Sequence, residues 1–329
     1  MPLLSIIIPL YNTEKYIGEC LSSILDNNAD KADYEIIVVN DGSTDESGTI
    51  VQSFCDNNHN IRLINQKNQG VGVARMNGVK EATGKYIWFI DSDDYLVEGA
   101  TSIILDTIRL YDDIDVFVTP MRLVFEDGRN GYTTHEINER YVISGKDLLK
   151  KKDFFLIGPP QFIINRKLFS NKWLYFPNNT RYEDEYFARV LKYIAKDFLI
   201  LENYLYVYRQ WTGSHMNSVQ VSRGEDVIKV YYHLDKFVSN AVTPEDTPWF
   251  RYNIVSFLLE SYTRNSIFFG TSEFKSFRHN NGGFINSEFE KYRNYFSVKE
   301  RVLAEILLRC PSLYARIMNL YVKYKNKRK

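Results

Sequence analysis

The chain has 329 residues, and its 41 basic side chains are balanced by 41 acidic ones. Without net positive charge, sequence-independent binding of nucleic acid is disfavoured. With 44% hydrophobic and 15% aromatic residues, the chain is too apolar to be disordered. Composition therefore predicts a globular protein with one large domain and an appendage.

The balanced total conceals an uneven distribution of charge. Residues 1–110 carry a net charge of −8, residues 111–220 carry +1, and residues 221–329 carry +7. An acidic front suits a cation or a neutral ligand and a basic rear suits an anionic surface, although solvated faces account for both equally well.

The cysteines and the termini exclude further classes of protein. Cys20, Cys55 and Cys310 form neither a close pair nor a metal-ligand cluster, so a disulfide framework and a zinc site have no support. The apolar N-terminus lacks the basic region and cleavage site of a signal peptide, and no apolar run approaches the roughly 20 residues that span a bilayer. We expect a cytoplasmic protein that does not cross a membrane.

The first third alternates buried strands with amphipathic helices. Leu4–Leu10 is a continuous apolar run, and apolar residues from Ile17 to Leu25 then recur with helical spacing after Asn12 or Thr13 as N-cap. Further strands are predicted at 35–40, 61–65 and 86–91, with helices from about 45 and over 71–82. This alternation predicts a mostly parallel α/β sheet flanked by helices.

The remainder of the chain is less regular. We predict a hairpin around Asp127 and Gly128 and a helix after Ser144. A helix ending near 195 and strands at 198–201 and 204–209 follow. Beyond these, the pattern favours helices at about 225–240, 246–269 and 298 to the end, with a polar loop near 279–286. The predicted domains are therefore 1–220 and a mostly helical region at 221–329.

Polar residues follow each of the first four strands. In parallel sheets, ligands bind beyond the carboxyl ends of the strands, so these positions should converge on one crevice. They are Pro9, Tyr11 and Asn12 after the first strand, residues 40–42 after the second, residues 65–70 after the third, and Asp91, Ser92, Asp93 and Asp94 after the fourth.

The segment IDSDD, which ends at Asp94, is the sharpest of these signals. Carboxylates at Asp91 and Asp93 on one tight turn repel each other unless a cation such as Mg²⁺ or Mn²⁺ neutralises them. Taken alone, the same residues fit an acidic turn or a helix N-cap equally well.

Two segments are typical of nucleotide contacts. In VNDGSTDES, Asp41 stands at a strand end, where a carboxylate accepts hydrogen bonds from a base or a ribose, and the polar residues after it cap a helix. In NQGVGVARMNG, Arg75 replaces the last glycine of a dinucleotide fingerprint. Its glycine turn and arginine still suit a diphosphate.

A further acidic segment, RYEDEYF, opens a predicted helix. Glu183, Asp184 and Glu185 are favoured there by the helix dipole alone, which explains them as well as function does. A carboxylate in the crevice alternatively serves as general base toward an alcohol.

Together these segments resemble the family 2 glycosyltransferases of bacterial surface-polysaccharide type, which have the GT-A fold. The resemblance covers residues 3–215 and rests on SIIIPLYN, VNDGSTD, NQGVGVARMNG, GKYIWFIDSDD and YEDE in that order. It implies inverting transfer of a sugar from a UDP-sugar to a hydroxyl of a glycan or lipid-linked glycan, with Mn²⁺ or Mg²⁺.

The resemblance also implies roles by position. Asp184 is the general base and Glu183 its companion, and Asp93 is the metal ligand. Asp94, Arg209 and His215 are weaker candidates, Arg209 at a basic or metal-binding position of the family and His215 on a loop that closes over the diphosphate. GPPQFIINRKLF departs from the family pattern, which leaves acceptor contacts open. The implied nucleotide-sugar contacts are Pro9, Tyr11, Asn12, Asp41, Asn68, Gly70, Arg75, Asp91, Ser92 and Asp93.

Three questions stay open at the level of sequence. The basic helix from Pro311 suits peripheral attachment to an anionic membrane or packing on the protein with a solvated tail. A sugar nucleotidyltransferase needs a lysine-bearing glycine loop after the first strand, where this chain has PLYNTEKYI. A non-catalytic nucleotide-sugar or glycan-binding subunit would not need the acids at Asp91, Asp93 and Asp184.

Overall fold

The computed structural model describes residues 1–25, 29–126, 130–134, 139–151, 158–210, 222–263 and 271–326. The chain forms two compact units. The first comprises Met1–Asn179 and Glu183–Ser214, and the second comprises Thr180–Tyr182 and His215–Lys329. The domain boundary at 220 stays a prediction, because residues 211–221 lie outside the described part.

Four adjacent parallel strands carry the predicted crevice. They are β1 (Leu4–Leu10), β2 (Tyr34–Asn40), β3 (Ile61–Asn65) and β4 (Tyr86–Phe89), in the spatial order β3-β2-β1-β4. Helices α1 (Ile17–Ile24), α2 (Ser47–Asn57) and α3 (Val71–Glu81) connect them. Because the strands run in the same direction, their carboxyl ends meet at one edge, which confirms the predicted alternation.

The same sheet continues with strands of both directions. Its full order is β3-β2-β1-β4-β10-β6-β11-β9, where β10 (Phe162–Asn165) is antiparallel to both of its neighbours. The other strands are β6 (Val116–Val118), β9 (Tyr141–Ser144) and β11 (Asp197–Ile200). The sheet is therefore parallel where the predicted site lies and mixed elsewhere.

A smaller sheet has the order β5-β12-β7-β8. Its strands are β5 (Tyr95–Leu96), β7 (Met121–Phe125), β8 (Asn130–Thr133) and β12 (Tyr206–Gln210). The strands β7 and β8 pair antiparallel, as the predicted hairpin requires, while its turn at Asp127 and Gly128 lies outside the described residues. Because β12 pairs with β5, the strand β12 lies beside the turn that follows β4.

Three further helices belong to the first unit. They are α4 (Ala100–Leu110), α5 (Gly145–Lys150) and α6 (Glu183–Ile194). Helix α5 begins where predicted, because the Ser144 side chain accepts a hydrogen bond from the backbone N–H of Asp147. Helix α6 opens with the acidic segment, as predicted.

The predicted N-cap of α1 is wrong. Tyr16, not Asn12 or Thr13, occupies the capping position, and its side chain makes no capping bond. The backbone amides of Asn12 and Thr13 instead donate to the hydroxyls of Ser43, in the loop after β2, and Ser47, at the start of α2. The long-range contacts of this loop outweigh the local capping preference.

The second unit contains α7 (Ser222–Ala241), α8 (Thr247–Thr263), α9 (Ser272–Tyr292), α10 (Val298–Arg309) and α11 (Pro311–Asn326). The polar loop predicted at 279–286 is wrong, because α9 runs through it. Phe274, Phe277, Ile285 and Phe289 are buried, and their burial outweighs the roughly 1 kcal/mol that each of the helix's two glycines costs.

The chain is helical from Val298, as predicted, and a second helix begins at Pro311, the helix start that the sequence indicates. Helix α10 ends before Cys310, and α11 begins at Pro311, which has no backbone N–H and suits a first helical position. Within the described residues, no helix combines the length and the apolar character needed to cross a bilayer.

Candidate active site

The end of β1 and the loop after it contain one buried and two exposed candidates. Pro9 is buried within the strand, whereas Tyr11 is 45% exposed. Asn12 adopts a left-handed conformation with φ 50°. Its side-chain oxygen accepts a hydrogen bond from the backbone amide of Thr44 at 2.8 Å, and the backbone amide of Asn12 donates to the Ser43 hydroxyl at 3.1 Å. Asn12 therefore joins the ends of β1 and β2 and leaves the Tyr11 ring accessible for stacking.

Asp41, at the end of β2, is buried and binds the loop that follows β3. Its carboxylate accepts hydrogen bonds from the amides of Gln69 and Gly70, both at 2.8 Å, and from the side chain of Gln66 at 2.7 Å. Asn68 is exposed in the same loop. Asp41 thus stabilises the loop after β3, and its contact with a base or ribose stays a prediction.

Arg75 connects the two acidic segments of the site. Its Nη2 donates to Asp91 at 2.7 Å, and its Nη1 donates to Glu183 at 3.2 Å. The guanidinium is buried and lies 5.2 Å from the centre of the Phe176 ring. Both terminal nitrogens of Arg75 therefore bind carboxylates of the protein. The direct contact with a diphosphate that the sequence predicts for Arg75 stays a prediction.

The acids after β4 have unlike surroundings. Ser92 is buried and accepts a hydrogen bond from the Thr13 hydroxyl at 2.9 Å. Asp94 is buried, and it accepts hydrogen bonds from the Tyr206 hydroxyl and from the Arg209 amide. Burial, and then repulsion by Asp93 and Asp91, raise the pKa of Asp94 well above its usual value. Asp94 therefore fixes the turn, while the Asp91 and Asp93 side chains stay partly exposed.

Arg209 lies against the same turn. Its side-chain Nε donates to the Asp93 carbonyl at 3.1 Å, and its Nη2 pairs with Glu19 at 2.7 Å. The guanidinium lies 5.0 Å from the ring centres of both Tyr16 and Tyr95. It is thus held by an acid and two aromatic rings, and a role toward the diphosphate stays a prediction.

Asp184 is partly exposed in the first turn of α6. Burial of the carboxyl, followed by repulsion from Glu183 and Glu185, raises its pKa well above the usual value, and the Arg75 charge opposes that rise. Glu183 is buried, and burial also raises its pKa despite Arg75. A carboxylate whose pKa lies closer to working pH is a stronger proton acceptor, which suits a general base.

The carboxylate oxygens of the Asp91–Asp94 turn after β4 (the β4 turn) suit a hard divalent cation that has few protein ligands. Among the described residues, no three His, Cys, Asp or Glu side chains stand close enough together to hold a metal. Magnesium-type ions are commonly bound by one or two carboxylates plus phosphate oxygens and water. Asp93 is a suitable ligand of that kind, whereas His215 lies outside the described residues.

Several site residues carry no recognisable sequence signal. Thr13 binds Ser92, Gln66 binds Asp41, and Phe176 lies beneath Arg75. Gly72 offers a partial signal, since a Cβ added there would stand 2.8 Å from the Phe176 Cβ. A small residue one turn before a buried arginine is consistent with close packing.

Comparison with known proteins places the chain in a family. The model of the family described as glycosyl transferase family 2 matches residues 5–173, which is just over half of the chain. The chain belongs to this family. The matched part contains nearly all of the four parallel strands and the Asp91–Asp94 turn, so the first four segments of the sequence resemblance lie on the expected elements of this glycosyltransferase.

Three curated relatives resemble this glycosyltransferase. GlyG of Streptococcus pneumoniae is 28% identical over 70% of the chain and 78% of its own length. The uncharacterized glycosyltransferase EpsJ of Bacillus subtilis is 31% identical over 64% of the chain and 62% of its length. Poly(ribitol-phosphate) β-glucosyltransferase of Bacillus spizizenii is 32% identical over 66% of the chain and 34% of its length. The chain thus spans less than two thirds of the last two.

Solved structures resemble the chain across nearly its whole length. S. aureus TarS 1–349 in complex with UDP-GlcNAc has a TM-score of 0.74 and 23% identity, covering 93% of this chain and 87% of that one. The Pyrobaculum calidifontis mannosyltransferase PcManGT, in complex with GDP-Man and Mn²⁺, has a TM-score of 0.52 and 14% identity, covering 92% and 85%. These likenesses establish a GT-A-like fold with a helical C-terminal region.

Proposed function

We propose that the chain is an inverting glycosyltransferase that moves a sugar from a UDP-sugar to a hydroxyl of a glycan or lipid-linked glycan, with Asp184 as general base. The observation that carries the proposal is the Arg75 bridge, which joins the Asp91–Asp94 turn to the first turn of α6. Donor-side carboxylates and a candidate base therefore share one site.

The donor side is best suited to a uridine nucleotide. Tyr11 offers an exposed ring for stacking, and Asn68 and Gly70 lie on the loop that Asp41 holds. The structural neighbour TarS binds UDP-GlcNAc, which supports a UDP-sugar as the donor. Two relatives are named as poly(ribitol-phosphate) β-glucosyltransferase and poly(ribitol-phosphate) β-N-acetylglucosaminyltransferase, which supports a hydroxyl of a polymer as the acceptor.

The reaction needs one proton transfer and one displacement. Asp184 takes the proton of the acceptor hydroxyl while that oxygen attacks the anomeric carbon, so a carbon–oxygen bond forms as the bond to the UDP phosphate breaks. A bound Mn²⁺ or Mg²⁺, with Asp93 as its ligand, would neutralise charge on the leaving diphosphate. Attack opposite the leaving group inverts the anomeric configuration.

A donor screen tests this proposal. Thermal unfolding is measured with a panel of nucleotide-sugars, each with Mn²⁺ and with EDTA, because a ligand that binds only the native state raises the melting temperature. We expect UDP-sugars with Mn²⁺ to give the largest rise. UDP release and the anomeric configuration of the product are then measured on an acceptor panel. Retention of configuration, or stabilisation by GDP-sugars alone, contradicts the proposal.

The second unit is proposed to contact the acceptor or a membrane. Leu313 and Leu320 of α11 are 48% and 68% exposed, and from Lys299 onward the sequence has nine basic residues and two acidic ones. A basic amphipathic helix of this kind binds anionic bilayers. Deletion of residues 311–329 is expected to abolish sedimentation with vesicles that contain phosphatidylglycerol. Equal sedimentation of both chains would show that α11 is not the membrane contact.

A further inference from the structure

Arg75 binds two carboxylates that come from distant parts of the chain. Asp91 follows β4, and Glu183 begins α6, about ninety residues later along the sequence. Only 5% of Arg75 is exposed, and its two terminal nitrogens each serve a different acid. A residue that only held a free phosphate would leave these nitrogens open to the crevice. The observed pairing instead fixes one protein segment against another.

The chemistry of the bridge requires an arginine. A guanidinium presents several N–H donors in a rigid plane and binds two acids at a fixed separation, whereas an ammonium is a single point charge on a flexible stem. Removing one partner from a buried ion pair leaves an uncompensated charge, which is strongly unfavourable. The relative position of Asp91 and Glu183 is therefore set by the geometry of one side chain.

Packing holds the guanidinium in place. Its central carbon lies 5.2 Å from the centre of the Phe176 ring. Gly72, one turn earlier on α3, leaves room for the base of the Phe176 side chain, because a Cβ there would stand 2.8 Å from the Phe176 Cβ, with Glu183 Cγ in ordinary contact at 3.7 Å. Gly72, Phe176 and Arg75 thus form one packed support beneath the start of α6.

We propose that Arg75 is a positioning residue for the glycosyl transfer. By binding Asp91 and Glu183 at once, it sets the place of the Asp184 carboxylate relative to the donor-side turn. The inference rests on the proposed function, since it assigns Asp184 as the base. Rate enhancement by a general base depends on such placement, because small displacements of reacting groups are costly.

The first experiment separates positioning from phosphate binding. Arg75→Lys keeps the charge but cannot span both acids, so kcat is expected to fall at least ~10²-fold. The Kd of UDP, measured by calorimetry with Mn²⁺, is expected to stay within threefold of the parent. A tenfold rise in that Kd, whatever the effect on kcat, would show that Arg75 is a donor ligand. A kcat within threefold of the parent would equally overturn the proposal.

The second experiment disturbs the support without changing any charge. Gly72→Ala places a methyl group against Phe176, and we expect kcat to fall at least ~10-fold with UDP affinity retained. Gly283→Ala is the matched control, because a Cβ at that position of α9 meets nothing within 4 Å. An unchanged kcat in folded Gly72→Ala overturns the role of the support. Thermal unfolding verifies folding, and Arg75→Lys decides the question where Gly72→Ala does not fold.

Failure of this inference is distinguishable from failure of the proposed function. If Asp184→Asn abolishes transfer while Arg75→Lys is fully active, Asp184 remains the base and only the positioning role is rejected. If Asp184→Asn is active, the assignment of the base is rejected, and the bridge is then a structural feature of the fold.

Discussion

The turn after β4 and the first turn of α6 each present a row of acids, and Arg75 binds one member of each row. Its partners are Asp91 in the β4 turn and Glu183 in α6. Both acids therefore neutralise the same guanidinium, although one lies on a strand end and the other on a helix start.

The remaining acids divide in a parallel way. Asp94 is buried against Tyr206 in the β4 turn, and Glu185 is buried and paired with Arg189 in α6. Asp93 and Asp184 are the partly exposed members. The rows differ in what the exposed acid has beside it, since Asp184 stands between two acidic neighbours in its helix. Exposure to solvent, and not residue type, therefore separates Asp93 and Asp184 from Asp94 and Glu185.

The largest expected effect on kcat is at Asp184, the most exposed acid in the first turn of α6. Asp184→Asn removes the proton acceptor, so kcat should fall ~10³-fold, within the usual contribution of general bases. The measurement is UDP release under saturating donor and acceptor. Asp106→Asn is the control, because Asp106 is an exposed surface acid in α4. Activity within tenfold of the parent would contradict the assignment.

The next effect addresses the corresponding acid of the β4 turn. Asp93→Asn should lower kcat ~10²-fold, because it weakens electrostatic stabilisation of the leaving diphosphate. Calorimetry of UDP with and without Mn²⁺ checks the cause, since the gain in affinity from Mn²⁺ should disappear in the variant. If Mn²⁺ strengthens UDP binding equally in both proteins, Asp93 is not the metal ligand.

A smaller effect is a displaced pH profile. A general base acts when ionised, so activity falls as the pH falls through the pKa of the base. Burial of Asp184 places this acidic limb of the pH–activity profile above the ordinary aspartate pKa of 3.8. The charged groups that act on Asp184 are Glu183, Glu185 and Arg75. Glu183→Gln removes a negative neighbour and should move the limb of kcat to lower pH, whereas Arg75→Gln should move it to higher pH. Shifts in the same direction would contradict this electrostatic account.

The smallest effect concerns stability and not rate. Asp94→Ala leaves the buried Tyr206 hydroxyl and the Arg209 amide without their acceptor, so the free energy of unfolding should fall by about 1–3 kcal/mol. Urea unfolding at neutral pH measures the change. Tyr206→Phe, which removes one of the two bonds, should lose less, and an equal loss would show that the amide bond contributes nothing.

The positions of the candidate donor-side residues could be predicted from sequence because their signals are local. Apolar runs that end in polar residues mark strand ends, and Asp41, Gly70 and Asp91 all follow such runs. Parallel strand direction then brings them to one edge. The helix that carries Asp184 was likewise visible from its acidic first turn.

The pairings within the site could not be predicted in this way. Arg75 and Glu183 are distant in sequence, and nothing in either segment indicates that one binds the other. The contact of Arg209 with the rings of Tyr16 and Tyr95 likewise joins parts of the chain that are distant in sequence. In the second unit, the Asn and Gly residues of α9 locally favour a loop, whereas the burial of its widely spaced apolar residues stabilises a helix.

The Asp41 carboxylate also stabilises the start of α3. By accepting from the amides of Gln69 and Gly70, it acts as a remote cap for α3, which has no side-chain cap of its own. The order of this loop is therefore established when the chain folds and not when a nucleotide arrives. Amide hydrogen exchange at Gln69 and Gly70 should already be slow in the free protein, and nucleotide should slow it little further.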